Sequence, residues 1–340
     1  MSRSIYIDGY DFTNDVSSIP VQDKTTPEWG QVEQQIMNEV VKFTVPRSLG
    51  SFFDNGRDIN KIRVQIYESN ILEFDGAISE IDYTQTELQI TCKSFSTILF
   101  NSTLNADESD YIIENAYPAD ILKEVLRLST VKMQETFPFV RFTLDENYYN
   151  KALDIQKQLG FVFNVYARET NFSQLINKLM EVTCGIMYYE AGVYYYEMYS
   201  DDTMAAVVLN DDDFVNFPQI DNPESFSIGY NGTNIKFNVN LALLDENTQP
   251  SKTIDMARND SDFEVSTDSI IVAEYIAGLY DSIGYGRRVQ LNTSVDKRLQ
   301  NIIRKNSYVR YNDVTYRVLS LNTSSDVELN IRAEAIRSQV

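Results

Sequence analysis

Between Ser4 and Ile98 apolar and polar residues alternate with a period of two, a rhythm that confines this stretch to strands with one buried and one solvated face. Ile5 and Ile7 open the first strand, and Val41, Phe43 and Val45 mark a second. Ile62, Val64 and Ile66 alternate with Arg63, Gln65 and Tyr67 in a third, and Leu88, Ile90 and Cys92 belong to a later one. Turn signals at Asp8-Gly9, Asp54-Asn55-Gly56, Ser69-Asn70 and Asp75-Gly76 fall at the spacing of a small barrel or sandwich. Residues 1–104 are therefore expected to form an N-terminal β-barrel.

The polar run Asn101 to Asp110 reads as a connection, after which the periodicity changes. Pro118 suits a first helical turn, and Ile121, Leu122, Val125 and Leu128 form one stripe of a helix expected to end near Ser129. Phe139 to Leu144 and Phe161 to Val165 read as strands, and Lys151 to Leu159 fits helix or loop. Asn171 with Gln174 three residues on is a capping-box pattern for a helix carrying Phe172, Leu175, Ile176 and Leu179, with Gly185 as its stop. A tyrosine-rich hairpin follows: Ile186 to Glu190, the corner Ala191-Gly192, then Val193 to Tyr199. Residues 105–203 are thus expected to be an α/β middle domain.

From Met204 strands return. Ser225 to Tyr230 joined through Asn231-Gly232 to Ile235, Phe237, Val239 and Leu241 is a hairpin pattern. A helix is expected from Asp268 to about Ser282, ended by Gly284, and strands at Val289 to Asn292, Tyr308 to Tyr311, Val314 to Leu321 and Val327 to Ala333, with Asn312-Asp313 as a tight turn. Residues 204–340 accordingly read as a second β-barrel domain with one inserted helix. The fold class is mainly β with an α/β insertion: two small β-barrel domains flank an α/β middle domain.

The chain has no histidine, which removes Ser-His-Asp, Cys-His and zinc–histidine chemistry. Acids outnumber bases 50 to 29, for a formal charge of −21, so a phosphate-gripping surface and sequence-specific nucleic-acid binding are disfavoured. An acidic surface would let nucleic acid pass without sticking, and would equally serve solubility alone. The start lacks the apolar core of a signal peptide, and no apolar run approaches the roughly 20 residues of a membrane-spanning helix. Cys92 and Cys184 suit buried thiols.

Asp201-Asp202 and Asp211-Asp212-Asp213 are the densest acids, but they lack the alternate spacing and sixth-position glycine of a calcium loop, and read as solvated turns. Gly284-Tyr285-Gly286, before Arg287-Arg288, lacks the third glycine of a dinucleotide fingerprint. No catalytic, cofactor-binding or metal residue is nominated, and no enzyme activity or cofactor is expected. Tyr188, Tyr189, Tyr194, Tyr195, Tyr196 and Tyr199 can pack in a core, meet a neighbouring subunit, or stack on sugar; as a group they are the expected partner-facing part.

Several passages resemble the hub proteins of phage tails, a family that includes contractile-phage baseplate hubs, late-control tail proteins and the spike base of type VI secretion. Ile5-Tyr6-Ile7-Asp8-Gly9, Ile62 to Tyr67, Phe74-Asp75-Gly76-Ala77-Ile78 and Leu88 to Cys92 followed by Ser94 to Leu99 are similar to the first barrel of those hubs. Glu169 to Leu179 with Gly185 to Glu190 is similar to their middle-domain helix and hairpin. Tyr308 to Val318 resembles a hub strand pair, with Ser307 and the preceding Lys305-Asn306 standing where hubs carry Gly-Asp. The resemblance implies a homotrimeric ring in a virion tail, whose partners are a tail tube protein, a spike or tip protein and a tape measure protein. A carbohydrate- or receptor-binding tail module using Tyr194 and Tyr196 is the alternative, and a histidine-free cell-wall hydrolase a third.

Overall fold

The computed structural model describes residues 3–20, 30–32, 39–54, 56–104, 110–168, 170–190, 192–198, 206–216, 218–221, 227–230, 238–244, 252–255, 262–267, 269–282, 290–296, 298–299, 302–303, 307–322 and 328–335. The N-terminal part holds strands β1 (Arg3–Ile7), β2 (Tyr10–Asp11), β3 (Gln31–Val32), β4 (Val40–Pro46), β5 (Arg63–Glu68), β6 (Ile71–Tyr83) and β7 (Glu87–Ser94), ending in helix α1 (Phe95–Phe100). All but β3 form one sheet, in the order β2-β1-β5-β6-β7-β4. Alternation does what the sequence predicts: Val41, Phe43 and Val45 of β4 point inward while Val40 and Lys42 stay exposed.

Ile5 and Ile7 near one edge of this sheet share a core with Val41, Phe43 and Val45 at the other, which requires the sheet to curl. Among the described residues the hydrogen-bonded ladder does not close. Chain beyond β2 crosses the seam instead, with the Ser17 amide donating to the Thr44 carbonyl at 3.3 Å and the two hydroxyls 2.6 Å apart. This is a half-barrel with a bridged seam.

Two of the expected turns are two-residue hairpins in which both residues have positive φ, matching strand twist. Asp8 (53°) and Gly9 (84°) link Ile7 to Tyr10, and Ser69 (49°) and Asn70 (68°) link Glu68 to Ile71. Asp75-Gly76, expected as a turn, lies inside β6. Its glycine answers a different demand, since a Cβ there would sit 2.2 Å from the Lys93 carbonyl oxygen of β7.

The central part comprises β8 (Tyr111–Ala116), α2 (Pro118–Thr136), β9 (Thr143–Leu144), α3 (Glu146–Leu159), β10 (Phe163–Ala167), α4 (Phe172–Thr183), β11 (Gly185–Glu190) and β12 (Val193–Met198). Helix α2 runs on past Ser129, because that buried hydroxyl donates to the Val125 carbonyl within the helix and Met133 continues the buried stripe. The ambiguous segment is helical: Asp145 caps α3 by accepting from the amides of Asn147 (2.9 Å) and Tyr148 (3.1 Å), and Gly160 ends it in the left-handed region. Of the strand expected at Phe139 to Leu144 only β9 forms. Helix α4 shows the expected cap, the Asn171 amide donating to Gln174 Oε1 at 3.0 Å. Cys184, not Gly185, takes the left-handed stop at φ 48°. Gly185 opens β11, where a Cβ would meet the Tyr196 ring and Thr183 Oγ1 at 2.8 Å each.

The remaining elements are β13 (Ala206–Val208), β14 (Gln219–Asp221), β15 (Ser227–Tyr230), β16 (Asn238–Leu244), β17 (Lys252–Asp255), β18 (Phe263–Ser266), α5 (Ile270–Ser282), β19 (Gln290–Asp296), β20 (Tyr308–Tyr311), β21 (Val314–Asn322) and β22 (Glu328–Ala335). Strands β15 and β16 pair antiparallel, but with Tyr230 opposite Leu241, a register that a two-residue turn at Asn231-Gly232 does not give; that dipeptide lies outside the described residues. A second six-stranded sheet runs β13-β20-β21-β22-β19-β14 over its own core of Leu291, Val295, Val309, Val318, Leu329 and Ile331. Asn312 (φ 48°) and Asp313 (φ 62°) make the expected tight turn.

The two sheets are one plan used twice. Numbered by position along the chain, the N-terminal order is second-first-fourth-fifth-sixth-third and the C-terminal order is first-fourth-fifth-sixth-third-second. Both are the same circle, cut on opposite sides of the short second strand. One direction differs: β1 is antiparallel to β5, whereas β13 is parallel to β20. In each half-barrel the chain between the second and third strands makes an excursion to the centre. The N-terminal excursion adds β3 beside β11, and the C-terminal one adds β18 beside β10. Helix α5, expected as an insertion of the C-terminal barrel, buries Val272, Ala273, Ile276 and Leu279 in the central core with Leu175 and Ile186. A helix too apolar to bury itself on one strand face finds its partners there.

Candidate functional site

The hairpin β11–β12 lies where the parts of the chain meet. In an antiparallel pair, directly opposed residues share a face. Tyr189 opposes Tyr194 and Met187 opposes Tyr196 on one face; Tyr188 opposes Tyr195 and Ile186 opposes Glu197 on the other. The Tyr188 and Tyr195 rings stack at 5.0 Å and 9°, and Tyr189 leans on Tyr194 at 5.0 Å.

The first face engages the N-terminal half-barrel and the helices. Tyr194, 1% exposed, shares a hydrogen bond with Ser96 of α1 and packs against Phe142 and Phe100. Tyr196 accepts from Gln156 Nε2 at 3.0 Å, while Gln156 Oε1 takes the Ala119 amide at 3.0 Å, so one buried amide ties α3, α2 and the hairpin together. Beside Tyr189 lies an ion pair of the half-barrel: Arg63 binds Asp75 through Nε–Oδ1 (2.8 Å) and Nη2–Oδ2 (2.6 Å) and covers the Phe139 ring at 4.5 Å. Burial pushes the Asp75 carboxyl up, against the pull of Arg63.

The second face engages the C-terminal half-barrel. Glu197, 4% exposed, accepts from the Tyr308 hydroxyl at 2.8 Å. Tyr308 stands opposite Arg317 in the β20–β21 ladder, and Arg317 is 1% exposed. Burial pushes the Glu197 carboxyl up; Tyr308, Arg317 and Lys151 of α3 pull it back. Tyr148 of α3 meets the Tyr195 ring edge-on at 5.3 Å, and burial followed by Glu197 raises the Tyr188 hydroxyl.

The tyrosine hairpin is thus an internal keel between half-barrels, where a partner-facing surface was expected. Tyr194 and Tyr196 are buried in the chain's own core and offer no face to a sugar. Tyr199 and Asp201-Asp202 lie outside the described residues, as does Gly284-Tyr285-Gly286. Asp211–Asp213 form a short solvent-facing turn beside an open concavity of about 720 Å³, with Asp213 paired to Arg298 at 3.1 Å. Among the described residues, no cluster of Cys, Asp or Glu is arranged to hold a metal ion, and no helix is long and apolar enough to cross a membrane. Both cysteines are buried and neither forms a disulfide. Glu197, Tyr308 and Arg317 had no signal in the sequence beyond a charge inside the apolar run Tyr316-Arg317-Val318.

No protein-family model matches the chain, and no curated protein matches its sequence. Its fold is that of phage-type tail proteins. It is similar to the 43 kDa tail protein of prophage MuSo2 from Shewanella oneidensis, at 10% identity and a TM-score of 0.51 over 97% of both chains. The tail protein of Neisseria meningitidis MC58 aligns over 98% of this chain and 97% of its own (10% identity, TM-score 0.45). The E. coli c3393 protein, a type VI secretion component with structural similarity to the T4 tail proteins gp27 and gp5, aligns over 88% and 69% (10% identity, TM-score 0.41).

Proposed function

We propose that the chain is a structural hub subunit of a phage or phage-like tail tip or baseplate. Three copies form a ring that joins the tail tube to a central spike or tip, encloses a channel, and contributes geometry instead of a reaction. The observation that carries this reading is the repeated half-barrel plan: a chain that presents one architecture twice gives a threefold ring six similar modules, matching a sixfold tube on one side and a threefold tip on the other. The net charge of −21 favours a channel wall that repels nucleic acid. A tail tube protein, a spike or tip protein and a tape measure protein are the partners this geometry serves.

Native mass measurement with negative-stain imaging of the purified chain tests the reading. The expected result is three times the chain mass and a central hole. A monomer at every concentration, or a ring with a basic inner wall, overturns it.

A further inference from the structure

The two half-barrels are fastened to the centre by different means. Ala77, Phe95, Leu99 and Phe100 at the N-terminal junction belong to the central core itself, so that junction is continuous apolar packing. Among the described residues no strand of the C-terminal sheet contributes to the central core, and Glu197, Tyr308 and Arg317 are buried at the junction instead.

We propose that this buried polar contact is an orientation latch, which sets the angle of the C-terminal half-barrel on the tyrosine hairpin and thereby whether subunits close into a ring. Apolar contact is non-directional and tolerates tilt and slide as long as area is kept. A carboxylate held by a phenol at 2.8 Å, with the buried Arg317 guanidinium near enough to favour its charge, does not: any other angle costs Glu197 its donor away from water. Such a contact adds little net stability, because desolvating the charges offsets their attraction, but it penalises every wrong arrangement. The groups facing Glu197 come from each packed element: Tyr308 of β20, Arg317 of β21, Lys151 and Tyr148 of α3, and Tyr188 of β11. A head-to-tail ring closes only when the rotation per subunit is fixed, so the latch acts on assembly through angle. This last step rests on the ring proposed above; the latch itself does not.

The test is the double variant Glu197→Leu/Arg317→Met, compared with wild type and with Leu329→Ala, a core truncation in the same half-barrel. Thermal midpoint, small-angle X-ray scattering and ring fraction by native mass measurement are read for each. The double variant is expected to keep its midpoint, require more than one arrangement in scattering, and lose ring at least about tenfold, a change of about 1.4 kcal/mol in closure. Leu329→Ala is expected to lower the midpoint while leaving scattering and ring fraction in place. A double variant with one wild-type arrangement overturns the latch. Should the double variant fail to fold, Tyr308→Phe decides: it removes only the hydroxyl, and unchanged scattering with it also overturns the latch. A wild type that never forms rings defeats the hub reading alone, since the scattering comparison stands without assembly.

Discussion

The N-terminal and C-terminal half-barrels follow one strand plan, yet the first is welded to the centre and the second is pinned to it. The weld is a helix, α1, whose Phe95, Leu99 and Phe100 sit in the central core while its chain continues directly from β7. The pin is a phenol, a carboxylate and a guanidinium on the second face of the hairpin. The difference teaches that a shared fold does not imply shared mechanics. Apolar junctions transmit unfolding, whereas polar ones transmit position.

The comparison breaks most visibly at Phe100. Phe100→Ala empties a fully buried site and is expected to cost about 3–5 kcal/mol. If the junction is a weld, hydrogen exchange in β4–β7 and in α4 rises together; acceleration of only one of the two would separate them. Tyr308→Phe comes next, at about 1–3 kcal/mol, because Glu197 stays buried with one donor fewer. Its exchange effect is expected in β20 and β21 alone, and equal acceleration in the central helices would refute the pin. Asp75→Asn is smaller, at about 1 kcal/mol or less, since the Arg63–Asp75 pair is only partly buried and Arg63 keeps the Phe139 face. A loss of several kcal/mol in denaturant titration would show that the N-terminal junction also relies on charge.

The smallest effect is a pH dependence. The folded carboxyl of Glu197 lies above its ordinary value of 4.5, so the folded state binds this proton more tightly than the unfolded one. Its contribution to stability is complete below that value and is lost as pH rises through the raised one. Glu197→Gln removes the dependence, so the variant's melting temperature should gain on wild type between acidic and neutral pH. A difference constant over that range would assign the raised carboxyl elsewhere.

Much of the fold was legible because its signals are local. Alternation in Val41, Phe43 and Val45 needs no partner to be read, and Ser69-Asn70 or Asn312-Asp313 announces a two-residue turn from its own backbone preferences. Failures occurred where a distant neighbour decides. Gly76 looks like a turn until β7 approaches its Cα, and α5 looks like part of the C-terminal barrel until its apolar face meets the central core. The junctions are the extreme case: Tyr308 and Glu197 are 111 positions apart, so nothing near either residue marks their contact. Core packing was one of three readings open for the tyrosines, and the partner-facing one was preferred, because what covers them is two half-barrels arriving from opposite ends of the chain.

Those two excursions also impose an order in time. The N-terminal half-barrel has all its strands once residue 94 has been made, and can collapse on its own core. The central core must wait, because Val265, Val272, Ala273, Ile276 and Leu279 are needed to cover it. On a ribosome the tyrosine hairpin therefore spends the synthesis of β13 to β21 with its second face uncovered. That interval, more than any finished surface, is where this chain is open to a chaperone or to a wrong neighbour.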